Sequence, residues 1–512
     1  MINLQSIRQH SARTPNKDAL VDGDTGITWQ EFQIDTEKKI QFLLTNFKHG
    51  LPKQVCYISH NRIELISWLS AFSTLNIPIT GLDYSLPVAI LKKLSLVIGA
   101  ELILVSMGSL INDDEVFGSG WSRSVLFDLD SPTIVYVDAV GKPLSLDNPE
   151  NLSKANPSYL YRAVGLTSGT SGLPKAVIRT ESFDKRRFTY FTSRYGFNHE
   201  DVFLLSMPLY HAAGNGWARM FMNLGATIYF SRLDSPSGIA EIMSEKRITA
   251  SVMTPSLLAR ILDALESKDY KNNNHLKWLL IGGKHFPVSQ KLKALSKLGQ
   301  VIYEYYGTTE TGVNTIAEPD DLANYPDSVG RAFDGNTVAI VGPKGTRLGP
   351  NAIGTIAISS YMNMDCYSDG SSKAVMLDNN RFLLTSETGY LDAEGRLYLL
   401  NRSINQNNNP RHLYRLEDAI RCIPGVRDVA LLENNDNSNT TIECAIEMKA
   451  QSVKPQDLQA QIQLLADKEQ LQLIRYYEVS KIPYSPSGKV RVGDLRLLLG
   501  KSYGESEQIV SS

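Results

Sequence analysis

The sequence predicts an α/β fold: a large N-terminal domain of several subdomains with mostly parallel sheets, followed by a small α+β C-terminal domain. Three observations predict it. Up to about residue 400, apolar strand-like runs alternate with helical patterns, as crossover helices between parallel strands require. The segment "NQNNNPRH", residues 405–412, is polar and breaks both periodicities, so it reads as a linker. Beyond it the pattern changes to that of a separate small core. The expected domains are therefore 1–404 and 405–512. A chain of 512 residues is too long for one hydrophobic core, and two to four structural units are expected, as domains of roughly 50–200 residues would give.

Taken in order, "QVCYISH" and "AELILVS" read as strands. "NRIELISWLSAFSTLN" between them reads as a helix, with Leu65, Trp68, Leu69 and Phe72 on one face. "TIYFS", "GIAEIMSEKRI" and "TASVMTP" repeat the strand, helix, strand order. Past the linker, "TIECAIEM" puts Ile442, Cys444, Ile446 and Met448 on one side, as a half-buried strand does. "DLQAQIQLLADK" puts Leu458, Ile462 and Leu465 on one helical face.

Composition excludes several classes. Hydrophobic residues make up 42% and charged residues 21% of the chain, an ordinary globular balance. The formal net charge of −2 supplies no field toward nucleic acid or membrane. The four cysteines, Cys56, Cys366, Cys422 and Cys444, have neither metal spacing nor a disulfide pattern, so free buried thiols in a reducing cytosol are expected. The first twenty residues carry no signal-peptide core. The most apolar run, "LSLVIGAELILVS", holds Glu101 in its middle and is too short to span a bilayer. It reads as a helix end followed by a buried strand. The expectation is a cytoplasmic protein with no membrane span and no nucleic-acid partner, monomeric or homodimeric.

Five segments carry chemistry. "LTSGTSGLPKAVIRT", residues 166–180, groups Thr167, Ser168, Gly169, Thr170, Ser171 and Gly172 ahead of Lys175. Strand-like "YLYRAVGL" and "KAVIRT" flank it, so it joins two strands. The common nucleotide loop instead has lysine directly after glycine. Backbone N–H groups and hydroxyls in such a loop can wrap phosphates, with Lys175 supplying charge. Composition alone leaves a Ser/Gly-rich surface turn open. "YEYYGTTETG", residues 303–312, sets Tyr306 before Gly307, then Thr309 and Glu310; an aromatic ring can stack on a base, and a hydroxyl and carboxylate can meet a phosphate and its Mg²⁺. "MPLYHAAGNG" offers His211 beside small residues. "TSETGYLDAEGRLYLLNRS" places Glu387, a glycine turn and Arg402 in a strand-turn-strand. "PYSPSGKVRVGDLR" presents Lys489 from a Ser-Gly turn.

These five, in this order and at these separations, resemble the adenylate-forming enzyme superfamily: acyl- and aryl-CoA synthetases, peptide-synthetase adenylation domains and luciferase. The resemblance covers nearly the whole chain, with supporting echoes in "IGGKHFP", "VGRAFDG" and "IGTIAIS". It implies an ATP- and Mg²⁺-dependent ligase. A carboxylic acid becomes an acyl-adenylate, and the acyl group then passes to a thiol of CoA or of a carrier-protein phosphopantetheine. The latter acceptor would place the enzyme in secondary metabolism. The C-terminal domain would rotate between the two half-reactions.

The resemblance also implies roles. Thr167, Ser168, Gly169, Thr170, Ser171, Gly172 and Lys175 would grip the β- and γ-phosphates. Tyr306 would stack on adenine after Gly283 and Lys284 line its site, and Gly307 would turn the chain. Thr309 would touch the α-phosphate and Glu310 would hold Mg²⁺. His211 would flank the acyl pocket. Glu387 and Arg402 would bind ribose, and Lys489 would neutralise charge between carboxylate and α-phosphate, an electrostatic role.

The sequence departs from that pattern in three places. Glu387 replaces the usual aspartate, which predicts weaker ATP binding. Lys284 and His285 stand where small residues are usual, facing either solvent or a pocket for a polar acyl group. The hinge position is Asn405, and "NNNPRHLYRLED" replaces a glycine-rich loop. That last departure bears on the thiol step. It leaves two alternatives: a degenerate member that binds nucleotide or acyl groups or acts as a scaffold in a biosynthetic complex, and adenylation followed by amide or other transfer.

Overall fold

The computed structural model describes residues 1–47, 50–106, 125–129, 133–137, 143–144, 163–167, 175–232, 235–266, 275–402, 413–436, 439–449, 455–469, 471, 474–486, 488 and 490–502. The phosphate-loop positions 168–174, the linker 405–412 and Lys489 lie outside these residues, and Arg402 is described only as a strand position.

Four sheets organise the described residues. The largest begins with parallel strands: Thr227–Phe230, Val202–Leu205, Ala250–Met253, Trp278–Gly282 and Ile302–Thr308 lie side by side in that order, and Asp18–Asp22 joins parallel at the outer end. The four from Thr227–Phe230 to Trp278–Gly282 are buried along nearly their whole length, as a sheet covered on both faces by helices must be. Beyond residue 308 the same sheet continues antiparallel through Gly312–Ala317, Ser328–Ala332, Arg396–Arg402, Asn380–Leu391, Gly354–Ser359 and Thr337–Val341. The expected strand-turn-strand around residue 392 is the pair Asn380–Leu391 and Arg396–Arg402.

A second sheet of six strands contains the expected strands Val55–Ile58 and Leu102–Val105, paired in parallel, with helix Ile63–Thr74 burying Leu65, Trp68, Leu69 and Phe72. Glu101 closes the entry to the latter strand: its Oε2 accepts the Lys53 N–H at 2.8 Å. A third, small sheet pairs Ala163–Leu166 with Ala176–Arg179.

Local signals explain where elements start. Thr28 and Glu31 form a reciprocal cap at the head of helix Trp29–Asn46: Thr28 N–H donates to Glu31 Oε2 at 2.8 Å and Glu31 N–H to Thr28 Oγ1 at 3.2 Å. Between the parallel sheet and its helices, Trp217 and Trp278 stand 5.0 Å apart with Phe191 edge-on to Trp217 at 4.7 Å. All three are at most 2% exposed, and each contributes about 1.5–3 kcal/mol by burial.

The C-terminal sheet pairs Val426–Asp436 antiparallel and Ile474–Val479 parallel with Asn439–Met448. Ile442, Cys444 and Ile446 face helices Leu413–Arg421 and Pro455–Lys468. The strand is not half-buried as its alternation suggests. Ala445 on the other face packs with Leu495 and Leu499 of helix Val492–Ser502, and Glu447 is buried because its Oε2 accepts the Ile482 N–H at 3.0 Å. The four cysteines are free. Cys56 and Cys444 are buried, Cys366 is half-buried and Cys422 is exposed, so burial holds for two of them. Among the described residues no helix is long and apolar enough to cross a membrane.

Candidate active site

The parallel strands all end on one edge of the sheet, where ligands bind in doubly wound folds. Val202–Leu205 leads into His211, Ala250–Met253 into Thr254, Trp278–Gly282 into Gly283 and Lys284, and Ile302–Thr308 into Thr309 and Glu310. Topology thus gathers segments a hundred residues apart in sequence.

The turn bearing Thr309 and Glu310 depends on Gly307. A Cβ there would run into the Gly312 carbonyl of the returning strand, and the pairing shifts register at this point. Thr308 turns inward: its Oγ1 lies 2.9 Å from Thr311 Oγ1 and accepts the Thr311 N–H at 3.2 Å. The turn is then fixed from outside. Arg179 donates to the Thr309 carbonyl at 2.6 Å and to the Met362 carbonyl at 3.0 Å, and Met364 N–H donates to the Glu310 carbonyl at 2.7 Å.

The strands around the Ser/Gly loop close at its base. Thr167 N–H donates to the Lys175 carbonyl at 2.9 Å, and Lys175 N–H to Thr167 Oγ1 at 2.9 Å. Thr309 Cγ2 would be 3.5 Å from a Cβ on Gly165, so this base abuts the Thr309 turn. Tyr367 links the two. Its hydroxyl donates to Glu310 Oε1 at 2.9 Å, and Lys175 Nζ lies 5.0 Å from its ring centroid. Burial and the Glu310 charge push the Tyr367 phenol above its ordinary pKa.

Glu387 and Tyr306 meet beside this turn. Tyr306 is 5% exposed and packs in the apolar cluster of Val329, Ile356 and Leu397. Burial, and then the Glu387 charge, hold its hydroxyl well above the ordinary tyrosine pKa. Glu387 Oε2 and the Tyr306 hydroxyl are buried close enough to couple, yet neither makes a hydrogen bond of good geometry among the described residues. A buried carboxylate oxygen left this way is costly unless a donor arrives; a ribose hydroxyl is such a donor. Strand pairing sets Arg402 opposite Glu387.

His211 caps helix Ala212–Leu224: its Nδ1 accepts the Ala213 N–H at 3.3 Å. Accepting at Nδ1 leaves the proton of a neutral ring on Nε2. Asn61 fixes the approach, donating to the Met207 carbonyl and accepting from Leu209 N–H, each at 2.8 Å.

Gly283 has φ +79°, a left-handed turn that glycine adopts readily. The next residues are half-buried and pack against the C-terminal domain, with Lys284 Nζ 3.2 Å from the Tyr484 hydroxyl and His285 Nε2 3.0 Å from Asp418. Among the described residues no group of three or more His, Cys, Asp or Glu side chains could hold a metal. A single carboxylate suits Mg²⁺, which usually keeps waters and takes other oxygens from substrate phosphates. In the sequence, "VIRT" and "DCY" carry no spacing that marks Arg179 and Tyr367.

This arrangement of strand ends, loop base and buried carboxylate defines a nucleotide-binding crevice. Residues 7–368 match the AMP-binding enzyme family, and the chain belongs to that family. It is 26% identical over 302 residues to an uncharacterized acyl–CoA ligase, YhfT, of Bacillus subtilis, covering 57% of this chain and 59% of that protein. It is 23% identical over 366 residues to the fatty acid–[acyl-carrier-protein] ligase ScoC of Streptomyces coeruleorubidus, covering 67% of this chain and 68% of that protein. The fold is shared with o-succinylbenzoate CoA synthetase from Bacillus subtilis, solved with its acyl-adenylate intermediate: TM-score 0.74 at 18% identity, covering 96% of this chain and 97% of that one.

Proposed function

We propose that the protein activates a carboxylic acid with ATP as an acyl-adenylate and transfers the acyl group to a thiol, of CoA or of a carrier protein. The observation that carries this reading is the buried Glu387 carboxylate beside Tyr306, one oxygen of which has no hydrogen-bond partner among the described residues, at the edge where the Thr167–Lys175 loop base also closes. Family membership supports it, and so do the ligase names of the relatives.

In the first step a carboxylate oxygen attacks the α-phosphorus and the bond to the β-phosphate breaks, with pyrophosphate taking the electron pair. His211, with its proton on Nε2, would hold the incoming acid. Lys175 and the loop hydroxyls would hold the β- and γ-phosphates, Thr309 the α-phosphate, and Glu310, oriented by Tyr367, the Mg²⁺ that offsets phosphate charge. Tyr306 and Gly283 would flank adenine, Glu387 and Arg402 the ribose. Lys489 would stabilise the charge that builds between the two reacting groups. In the second step the thiol sulfur, its proton lost to solvent, attacks the acyl carbonyl carbon and AMP leaves. Such a reaction draws on cytoplasmic ATP and thiol pools.

The test is pyrophosphate release over a panel of carboxylic acids, with and without CoA or a phosphopantetheinyl carrier protein. Acid-dependent release is expected, and Lys489→Ala should cut it by about a hundredfold or more with ATP binding retained. Nucleotide binding without release for any acid would favour the non-catalytic scaffold instead.

A further inference from the structure

Lys284 and His285 leave the crevice edge and enter a polar cluster on the C-terminal domain. Lys284 Nζ donates to the Tyr484 hydroxyl at 3.2 Å and lies 4.6 Å from its ring centroid. Tyr484 in turn donates to Asp428 Oδ2 at 2.6 Å. Asp428 Oδ1 also takes Arg421 at 3.2 Å and the Val429 N–H at 2.8 Å. Beside this, His285 Nε2 lies 3.0 Å from both oxygens of Asp418, with its ring stacked on Tyr414 at 4.5 Å and 12°.

Tyr484 stands at the base of the turn in which position 489 falls. It bridges to Val490 across that turn, and Gly488 N–H donates to the Ser485 carbonyl at 2.8 Å. The turn touches the crevice edge itself: Ser256 Oγ donates to the Gly488 carbonyl at 3.1 Å, and Arg491 to the Ser85 carbonyl at 3.4 Å. Lys284 therefore grips the residue that carries the Lys489 turn, from the N-terminal side of the site.

Interdomain apolar contacts tolerate sliding; this cluster does not. Half-buried Lys284 and His285 take their partners, Tyr484 and Asp418, from the other domain and need them in one register, because a desolvated polar or charged group left alone is strongly unfavourable; Arg421 pairs with Asp418 and Asp428 within the C-terminal domain. The observed orientation of the C-terminal domain satisfies Lys284 and His285 at once.

We propose that Lys284 and His285 are positioning residues that dock the C-terminal domain with its Lys489 turn at the crevice, and so serve the adenylation step and not the acyl transfer. This rests on the two-step reaction proposed above and on the domain rotation between its steps that the family resemblance implies, which would break these contacts. Lys284→Met and His285→Phe remove the polar contacts and keep side-chain bulk; Tyr484→Phe removes only the hydroxyl that Lys284 reaches; Lys284→Arg restores a donor.

Two readouts test it. The first is the distance between spin labels at Lys297 and Gln463, both exposed, with Cys366 and Cys422 replaced by serine. The second compares single-turnover pyrophosphate release with acyl transfer from supplied acyl-adenylate. Lys284→Met, His285→Phe and Tyr484→Phe should broaden the distance distribution and slow adenylation roughly tenfold to a hundredfold, the cost of small misplacement at a reacting centre. Transfer should stay at the wild-type rate, and Lys284→Arg should recover much of the loss. Unchanged distances, equal losses in both half-reactions, or unchanged adenylation would overturn the proposal. If the wild-type protein releases no pyrophosphate with any acid, the two-step reaction fails. The label distances alone then decide whether these residues dock the domain.

Discussion

The Tyr367 hydroxyl donates to Glu310 Oε1 across 2.9 Å, and the same ring lies under Lys175 Nζ at 5.0 Å. One side chain thus ties the turn assigned to Mg²⁺ to the loop assigned to phosphate. Tyr367 itself is held by strand pairing of Tyr367 with Val177, next to the loop base.

Removing that hydroxyl should loosen Glu310 without deleting its charge. A hydrogen bond to a charged group is worth about 1.5–3 kcal/mol, and partial exposure of this pair argues for the lower end. Tyr367→Phe should raise the Mg²⁺ concentration for half-maximal pyrophosphate release by roughly tenfold, with little change at saturating Mg²⁺. Glu310→Gln should lower turnover even at saturation. A Mg²⁺ titration of both variants checks this, and an unshifted curve for Tyr367→Phe would remove Tyr367 from the site.

Lys291 forms an ion pair at 2.6 Å with Glu304, on the strand that carries Tyr306, both side chains being 2% exposed. Burial pushes the Glu304 carboxyl up, while Lys291 favours its charged form. Breaking a buried pair from one side costs about 3–5 kcal/mol, whereas replacing both partners with apolar residues of similar volume is often near neutral. Lys291→Met should therefore destabilise strongly. Adding Glu304→Leu should recover part of the loss, less the hydrogen bonds from Lys291 to the Pro326 and Ser328 carbonyls. Urea midpoints of the wild type, of Lys291→Met and of the double variant measure it.

Much of this architecture is legible from periodicity. Val55–Ile58, Leu102–Val105 and helix Ile63–Thr74 stand where apolar spacing puts them, because each buries a pattern complete within its own segment. What was not legible depends on distant segments. The Asn439–Met448 strand alternates as a half-buried strand does, yet helix Val492–Ser502, some fifty residues on, covers its second face. Lys284 and His285 left solvent and acyl pocket open as destinations. Only the C-terminal domain supplies the partners they take, Tyr484 for Lys284 and, from helix Leu413–Arg421, Asp418 and Tyr414 for His285. Arg179 acts through backbone carbonyls of Thr309 and Met362, and no residue pattern announces a carbonyl acceptor.

Asp428 gives the docking cluster a pH dependence. Burial alone would raise its carboxyl pKa; Arg421, Lys284 and the Tyr484 hydroxyl outweigh that and hold it below the ordinary value of 3.8. With a folded pKa depressed, the unfolded chain binds the proton more readily. The contribution of Asp428 to stability is then fully present above the unfolded value and is lost as pH falls through the folded one. Asp428→Asn should flatten the stability profile below about pH 4, where an unperturbed aspartate titrates, and lower the plateau at neutral pH. Chemical denaturation between pH 2.5 and 7 (roughly the span in which carboxylates titrate) checks the slope; parallel profiles for variant and wild type would exclude the linkage.

The thiol step is where the sequence departs furthest from its family. A pantetheine arm must pass a narrow channel to reach the adenylate, and a loop lining such a channel has to approach closely. Glycine permits that approach, having no Cβ and accepting positive φ. Residues 407–412, "NNNPRH", offer three asparagines, a proline with no N–H to donate, and the bulky Arg411 and His412. Thioester formation with free CoA is therefore expected to lag adenylation by at least an order of magnitude on the same acid. A carrier protein that brings its own docking surface should narrow the gap, since docking raises the effective concentration of the arm. An amine acceptor, needing no such channel, should be indifferent to the loop. Replacing Asn408 and Asn409 with glycine should then speed CoA transfer selectively, leaving pyrophosphate release unchanged. Rapid wild-type CoA thioester formation, matching the adenylation rate, would show that the missing glycines place no limit on the acceptor.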